Sequence, residues 1–375
     1  MPARSESREE LLSALRLVMV PGAGPRTQQL LLERFATPEA VLRAAPDQLK
    51  MVRGVGPKLI SAITAARQES KAEQELQQAE EHGVHYILRG ATGYPRPLND
   101  LPDAPLLLSC RGAMYERDEL AVAIVGSRNC TLYGRQQAEK LGSALARAGI
   151  TIVSGLARGI DAAAHAGAIK AGGRTIAVLG SGLANIYPPE HQALATDVAA
   201  SGAVISEFSL NQRPARGLFP QRNRIISGLS LSVILIEARA RSGALHTARH
   251  AMEQGRDVLA LPGRVDNVAS EGCHELIRDG VTLVRHADDV LESLGPLSAP
   301  IKTSEEQEVH SPRELSLNER EREILNLVQA EETPIEQVLA STDLAPAVVL
   351  STLTVLEMKK LVRRLPGNHI ARRTH

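Results

Sequence analysis

The feature that most constrains the fold lies between about residues 81 and 295, where short apolar runs alternate with segments of helical period. The runs are Val122–Val125, Ile150–Val153, Thr175–Leu179, Ala203–Ser206, Val233–Ile236, Val258–Leu261 and Val281–Val284. Alanine- and leucine-rich stretches such as 136–148 and 161–171 separate them. Continuous apolar strands separated by helices are typical of a parallel sheet covered on both faces. The sequence therefore predicts an α/β domain with a doubly wound, mostly parallel, Rossmann-like sheet.

Residues 1 to about 80 are predicted to be helical and contain one short pattern twice. Val20–Pro25 and Val52–Pro57 both have the form apolar-x-Gly-x-Gly-Pro, and each precedes a helical stretch. The pattern resembles a tandem helix-hairpin-helix (SAM-like) module, in which glycines allow a tight turn and free amides at the next helix hold a phosphate. A small helical bundle that uses the same sequences only as turns is an equal alternative.

The C-terminal part is predicted to be a linker followed by a winged-helix domain. Residues 296–314 are rich in proline, serine and glutamate, and residues 315–375 show three helical stretches and a strand pair at 361–365 and 369–372. The presumed recognition helix, Leu344 to Met358, contains no lysine or arginine. A helix that reads DNA needs donors for phosphates and bases. We therefore expect a role in protein interaction or dimerisation, with at most weak DNA contact from the wing.

The overall composition sets limits on compartment and partners. Lysine plus arginine equals aspartate plus glutamate, 43 each, so a nucleic-acid site would depend on the local distribution of charge. The three cysteines are far apart, which argues against a disulfide framework or a zinc knuckle. The polar N-terminus has no signal-like apolar core, and no apolar stretch approaches the length of a membrane span. We therefore expect a cytoplasmic protein without a membrane span.

Glycine, serine and arginine follow the predicted strands where each strand ends. They comprise Gly126, Ser127 and Arg128, then Ser154, Gly155 and Arg158, then Gly180 and Gly182, and finally Ser242 and Gly243. In open α/β sheets ligands bind beyond the carboxyl ends of the strands, so these residues should meet at one edge. Glycine lets the backbone approach an anion, and serine, amide and guanidinium groups donate to it. The pattern predicts a phosphate site, although tight turns need glycine even without a ligand.

These turns lack the sequence motifs of two common classes of phosphate-containing ligand, dinucleotides and nucleoside triphosphates. A dinucleotide site would need Gly-x-Gly-x-x-Gly at the start of a helix, and Gly180-Ser181-Gly182 has no third glycine. The chain also has no Walker sequence for a nucleoside triphosphate. No cofactor is therefore expected.

A basic segment from 211 to 232 holds one of only three phenylalanines in the chain. Its arginines are Arg213, Arg216, Arg222 and Arg224, and no acid lies between Glu207 and Glu237. A cationic groove for phosphates, with an aromatic ring that stacks on a base, is typical of single-strand binding. We predict that the segment contacts DNA through Phe219, Arg222, Asn223 and Arg224. The alternative is a core phenylalanine in a solvated loop.

Catalytic and metal-binding patterns are sparse. Ser154, Asp161 and His165 suggest a triad, but Asp161 is better explained as a helix N-cap and His165 as a packed helix residue. His246 and His250 lie one helical turn apart without an obvious third ligand. We therefore expect neither a catalytic centre nor a metal site.

The turns and the basic segment together resemble the DNA-processing protein A (DprA/Smf) family. The matching stretches are 124–128, 153–165, 175–180, 206–208, 219–229 and 261–263, and they occur in the family's order. The resemblance implies a factor that binds single-stranded DNA, protects incoming DNA and loads the RecA recombinase in natural transformation and recombination. It also implies a homodimer formed through the Rossmann-like domain, and no enzymatic activity.

The same resemblance assigns a phosphate pocket and its neighbours. The pocket falls on Gly126, Ser127, Arg128, Ser154, Gly155 and Gly180, with Phe219, Arg222, Asn223 and Arg224 beside it. One departure follows Tyr187-Pro188, where many members carry a basic residue that contacts DNA and this chain has Pro189. Another arginine would have to replace that contact.

A second interpretation is enzymatic: a Rossmann-like nucleotide phosphoribohydrolase of the lysine-decarboxylase-like group. That group is similar in fold but uses a Pro-Gly-Gly-x-Gly-Thr loop with a glutamate, which Pro262-Gly263-Arg264-Val265 does not reproduce. A purely structural scaffold is a third interpretation, and it predicts no salt-sensitive DNA affinity.

Overall fold

The computed structural model describes residues 7–67, 69–294, 301–304 and 307–373. The chain forms two compact units that divide between Leu283 and Val284. The N-terminal helices and the large sheet belong to the first unit, and the winged-helix domain belongs to the second.

The first unit begins with short helices, several of which start at a proline. They are α1 (Arg8–Val18), α2 (Pro25–Phe35), α3 (Pro38–Arg43), α4 (Pro46–Lys50), α5 (Pro57–Ala66) and α6 (Lys71–Glu81). Proline suits the first helical position because its missing N–H would have no partner there. Gly22 and Gly54, with φ of 87° and 85°, make the turns before α2 and α5. The repeated Gly-x-Gly-Pro pattern therefore forms two equivalent helical hairpins, as predicted.

A nine-stranded sheet follows in the same unit. Its strands are β1 (His85–Leu88), β2 (Leu107–Gly112), β3 (Ala121–Gly126), β4 (Thr151–Ser154), β5 (Thr175–Val178), β6 (Ala203–Ser206), β7 (Ser232–Ile236), β8 (Asp257–Ala260) and β9 (Thr282–Leu283). The spatial order is β1-β2-β6-β5-β4-β3-β7-β8-β9. The strands in the spatial run β6-β5-β4-β3-β7-β8-β9 are all parallel. At one edge of the sheet, β2 pairs antiparallel with β6 and β1 pairs antiparallel with β2. The doubly wound, mostly parallel sheet is confirmed.

Helices cover both faces of this sheet. They are α7 (Leu132–Arg147), α8 (Ile160–Lys170), α9 (Gln192–Ser201), α10 (Leu218–Gly228), α11 (Ala244–Glu253) and α12 (Glu271–Arg278). One apolar cluster joins the N-terminal helices to the sheet through residues such as Leu76, Leu107 and Val204. Another buries residues of the central strands, including Val125 and Val233, against α10 and α11. Because both faces of the sheet are buried, the strands appear in the sequence as uninterrupted apolar runs.

The strand order reverses at β3, and the reversal determines where a ligand can enter. From β3 the chain moves outward through β4, β5 and β6, then returns to place β7, β8 and β9 on the other side of β3. In doubly wound sheets a crevice opens at this switch point, beyond the carboxyl ends of the flanking strands. The turns after β3 and β7 therefore face each other across it.

The second unit contains a small hairpin and a winged helix. Its elements are α13 (Ala287–Ser293), β10 (Ile301–Ser304), β11 (Gln307–Val309), α14 (Glu319–Leu327), β12 (Thr333–Pro334), α15 (Ile335–Ala340), α16 (Pro346–Met358), β13 (Val362–Leu365) and β14 (His369–Arg372). The last strands form a three-stranded sheet in the order β12-β14-β13, which confirms the predicted wing. Part of the predicted linker forms the hairpin of β10 and β11, and its stretches 296–300 and 305–306 lie outside the described residues. Within the described ranges no helix is long and apolar enough to cross a bilayer.

Candidate nucleic-acid interface

A cleft of about 660 Å³ opens at the switch point, beyond β3 and β7. The residues predicted from the sequence that line it are Gly126, Ser127, Arg128, Phe219, Arg222, Asn223, Ser242 and Gly243. They come from the turn after β3, the first half of α10 and the turn before α11. Residues more than a hundred positions apart in sequence therefore share one cavity.

Phe219 is half-buried and forms part of the cleft wall. Its ring lies beside that of Tyr187, with the centroids 5.7 Å apart and the planes inclined by 49°. A Cβ atom on Gly180 would approach Cδ1 of Phe219 to 2.7 Å, so glycine is needed there to accommodate the ring. Gly180 therefore positions Phe219 and does not itself line the cleft.

Arg128 lies on the cleft wall with its side chain exposed to solvent. Its Cζ atom is 5.1 Å from the centroid of the Phe219 ring, which is cation–π distance. No carboxylate pairs with it anywhere in the described part of the chain. The guanidinium is thus held over an aromatic ring while its N–H groups remain open to an anion.

Arg222 has a different environment, since only 4% of it is exposed. Its Nη1 atom donates to the carbonyl oxygen of Gly155 at 2.8 Å and to that of Val178. Burial lowers the pKa of Arg222 to about 10, although the negative charge of Asp161 acts to raise it. Arg222 therefore ties the ends of β4 and β5 to α10, and its Nη1 donors are already satisfied by the protein.

Arg224 lies away from the cleft, although it belongs to the same basic segment. It is buried in α10 and forms ion pairs with Glu207 and with Asp103, the latter at 3.3 Å. Burial raises the pKa of Glu207 to about 7, and the charge of Arg224 acts against that rise. A guanidinium enclosed with two carboxylates has no surface to offer a phosphate.

The remaining predicted residues do not line the cleft either. The Ser154 hydroxyl is buried and donates to the carbonyl of Ile124 at 2.6 Å. Gly182 packs against the carbonyls of Ser209 and Leu210. Gly155 and Arg158 border a small recess that they share with Tyr187 and Phe219, and Arg158 pairs with Glu190 at 2.5 Å on the surface.

Three further arginines of the cleft were not among the predicted DNA contacts. Arg216, Arg239 and Arg241 are exposed, line the cleft and form no ion pair with any described residue. Arg239 and Arg241 lie in the turn after β7, so the strand-end rule that selected Ser242 and Gly243 also applied to them. Together with Arg128 they give the cleft a strongly cationic rim, although the whole chain carries no net charge.

Asp161 contributes the one carboxylate among the described residues that line the cleft. It lies in the first turn of α8 and not at the N-cap, which is Gly159 with φ of 78°. Its Oδ2 atom accepts hydrogen bonds from the backbone N–H groups of Gly155 at 3.1 Å and Ala157 at 3.3 Å. The carboxylate thus fixes the turn that follows β4.

Ser154, Asp161 and His165 face different partners. Nδ1 of His165 bonds the hydroxyl of Thr175 at 2.6 Å, and burial lowers the pKa of this histidine to about 3. The serine hydroxyl and the aspartate are engaged by the backbone, as described above. Within the described ranges, no group of three or more His, Cys, Asp or Glu residues is arranged to hold a metal ion.

The protein combines a doubly wound sheet, which has a cationic cleft at its switch point, with an N-terminal helix-hairpin-helix module and a winged-helix domain. This combination defines a class of DNA-handling Rossmann-like proteins. Three family models match the chain in this order: a SAM-like helix-hairpin-helix tandem at 14–69, DNA recombination-mediator protein A at 85–295, and the DprA winged helix domain at 308–368. The chain belongs to the DNA recombination-mediator protein A (DprA/Smf) family.

Individual relatives agree with this assignment. Protein Smf of Synechocystis is 35% identical over 384 residues, covering 94% of this chain and 96% of that protein, and Protein Smf of Escherichia coli is 38% identical over 80% of each. A crystal structure of DNA processing protein A from Streptococcus pneumoniae matches with a TM-score of 0.66 and 33% identity over 78% of this chain and 99% of that one. The Helicobacter pylori protein, solved for its single-stranded DNA binding mode, matches with a TM-score of 0.50 and 31% identity over 55% and 93% of the two chains.

Proposed function

We propose that the cleft binds the backbone of single-stranded DNA and stacks a base against Phe219. The observation that carries this proposal is the set of exposed arginines that line the same cleft as the ring, Arg128, Arg216, Arg239 and Arg241, none of which pairs with a carboxylate among the described residues. Guanidinium groups match phosphate in geometry and charge, and aromatic rings accept any base. Phosphates and bases of one strand thus find separate partners in the cleft.

The similarity to the H. pylori protein supports this choice of ligand. That relative is a DNA processing protein A with a single-stranded DNA binding mode, and the similarity covers 93% of its chain. A duplex would present its phosphates with the bases already stacked and paired, leaving Phe219 without a partner.

We extend the proposal to the cellular role implied by the family. The chain would act in the cytoplasm as a homodimer formed through the Rossmann-like domain, protect incoming single strands and load RecA on them during transformation and recombination. Family membership is the support for this wider role. Light scattering of the purified protein tests the homodimer, and RecA filament formation on strands covered by single-strand-binding protein tests the loading step.

The DNA-binding proposal is tested by fluorescence anisotropy with single- and double-stranded oligonucleotides over a salt series. Wild-type protein should prefer single strands, with an affinity that falls as salt rises. Arg128→Ala should weaken binding about tenfold and reduce the slope of log affinity against log salt by about 0.7, the value for one lost phosphate contact on a single strand.

The matched control is Arg147→Ala, which removes an exposed arginine at the far end of α7 that bonds Ser143 and lies outside the cleft. Arg147→Ala should bind DNA like the wild type. Equal affinities for wild type and Arg128→Ala would show that the cleft is not where DNA binds.

A further inference from the structure

A buried carboxylate is an unexpected component of a cleft that receives a polyanion. Asp161 lines the same cavity as Arg128 and the other arginines, and 6% of it is exposed. A phosphate close to this carboxylate would be repelled, because like charges in a partly dry site interact strongly. The space beside the Asp161 carboxylate must therefore either remain empty when DNA binds or receive a part of DNA that donates hydrogen bonds.

The two oxygens of Asp161 are used differently. Oδ2 accepts both backbone amides, from Gly155 and Ala157. Oδ1 accepts no hydrogen bond from the described residues, yet it is not among the buried polar atoms that lack a partner, so it keeps contact with solvent. The cavity that Asp161 lines is the cleft, and an acceptor with two unused lone pairs is therefore available there.

Burial raises the pKa of Asp161 above its usual range, and the charges of Arg222 and Arg128 and the hydrogen bonds from its two amide partners act against that rise. Arg222 is fixed in place by the carbonyls of Gly155 and Val178, so it cannot move to cover Oδ1 without breaking those bonds. The acceptor is thus held in a fixed position.

The cleft consequently presents two kinds of chemistry, cationic donors and an acceptor beside an aromatic ring. The turn after β7 supplies Arg239 and Arg241 and the start of α11, a ten-residue helix whose first N–H groups point towards the Ser242-Gly243 turn. Asp161 on α8 and Phe219 on α10 supply a carboxylate and a ring. Such a cleft offers cations to the phosphate of a nucleotide, and a ring and a hydrogen-bond acceptor to its base.

We propose that Asp161 reads one base of the bound strand and selects guanine. The inference rests on the proposed binding of single-stranded DNA in this cleft. Guanine presents two adjacent donors, N1–H and the N2 amino group, which can both reach one carboxylate oxygen. Adenine and cytosine each present one amino group beside a ring-nitrogen acceptor, and thymine presents one N–H between two carbonyl oxygens that the carboxylate repels. The expected order of affinity is guanine first, adenine and cytosine intermediate, and thymine last.

The first test uses wild-type protein and short oligothymidylates in which one central thymine is replaced by guanine, adenine or cytosine. A single guanine avoids self-association of guanine-rich strands. The guanine strand should bind about tenfold more tightly than the all-thymine strand, within the range of a paired hydrogen-bond contact to one base. Stacking on Phe219 alone would favour adenine as much as guanine, so equal affinities for these two strands overturn the proposal.

The second test is Asp161→Asn. The asparagine oxygen can still accept the amides of Gly155 and Ala157, while its NH₂ group replaces the free acceptor with a donor. Guanine preference should disappear, and cytosine or thymine, which offer carbonyl oxygens, should become the better base. Thermal unfolding of the variant checks that the turn after β4 is intact. Retention of guanine preference in a folded Asp161→Asn protein would exclude Asp161 as its source.

The outcomes for base preference and for DNA binding can be distinguished. If wild-type protein binds oligothymidylate in a salt-sensitive manner and Arg128→Ala binds it about tenfold more weakly, the cleft binds DNA whatever its base preference. If all four strands then bind equally, only the role of Asp161 is overturned. If no strand binds, the proposed function fails, and the base-reading inference fails with it.

Discussion

The guanidinium carbon of Arg128 lies 5.1 Å from the centroid of the Phe219 ring, although the two residues are placed in the cleft by different elements, the turn after β3 and helix α10. The contact joins a charged group suited to phosphate and a ring suited to a base. It makes them neighbours on one wall of the cleft. The two contributions can nevertheless be separated by experiment.

The ring is tested by Phe219→Leu, which keeps an apolar side chain beside Gly180 but removes the aromatic face. Loss of one stacked base should weaken single-strand binding by about 1–3 kcal/mol, or roughly 5- to 150-fold. The salt slope should stay at its wild-type value because no phosphate contact is lost. Anisotropy titrations at several salt concentrations measure both. Tyr187→Phe serves as control, since it keeps the neighbouring ring, and a change in slope in Phe219→Leu would mean that the ring also positions a phosphate ligand.

Arg222 is tested as a structural residue by Arg222→Met, which keeps much of the side-chain length but removes every donor. The carbonyls of Gly155 and Val178 would lose a buried partner, and Asp161 would lose a nearby positive charge. The free energy of unfolding should fall by about 2–4 kcal/mol in urea titrations. Arg128→Ala is the matched comparison and should change stability by less than about 0.5 kcal/mol, because Arg128 is exposed. Similar stabilities for the two variants would contradict the distinction between them.

The contrast between Arg128, Arg222 and Arg224 shows what the sequence could and could not reveal. The strand-end rule correctly predicted one shared edge, because the positions of parallel strands determine where their turns meet. The burial of Arg222 and Arg224 could not be inferred from the run of arginines in the sequence. Their burial depends on carbonyls and carboxylates contributed by the ends of β4 and β5 and by the turn after β6. Strand β2 was missed for a similar reason: Ser109 pairs with Ser206, 97 residues away, and local pattern does not encode such a partner.

The winged-helix domain is tested through its wing. Helix α16 exposes Leu350, Val355 and Met358 and carries no cation on its outer face, and Lys360 and Arg363 are exposed just beyond its end. The double variant Lys360→Ala, Arg363→Ala should therefore lower single-strand affinity by less than about twofold, whereas Arg128→Ala causes a large loss. Electrophoretic mobility shifts at low salt, where weak phosphate contacts are most visible, provide the strictest measurement. A loss as large as that of Arg128→Ala would assign DNA binding to the wing.

The last prediction concerns acid stability and comes from His165, which is buried in α8 with Nδ1 bonded to Thr175. Burial lowers its pKa from 6.5 in the unfolded chain to about 3 in the folded protein. Between these values the unfolded chain binds a proton that the folded protein does not, so the free energy of unfolding decreases as pH falls. This contribution is fully present above pH 6.5 and is lost progressively towards pH 3, by up to about 1.4 kcal/mol per pH unit.

His165→Asn should keep the donor to Thr175 and remove the titration. Between pH 6.5 and 5 its unfolding free energy, measured in urea, should fall less steeply than that of the wild type, by up to about 1.4 kcal/mol per pH unit. The variant is expected to be less stable at neutral pH because asparagine is smaller than histidine and leaves space in a packed region, so the slope and not the absolute value is the relevant quantity. His246→Asn, which removes an exposed histidine, should retain the wild-type slope. Parallel curves for His165→Asn and the wild type would mean that His165 can take up its proton without unfolding.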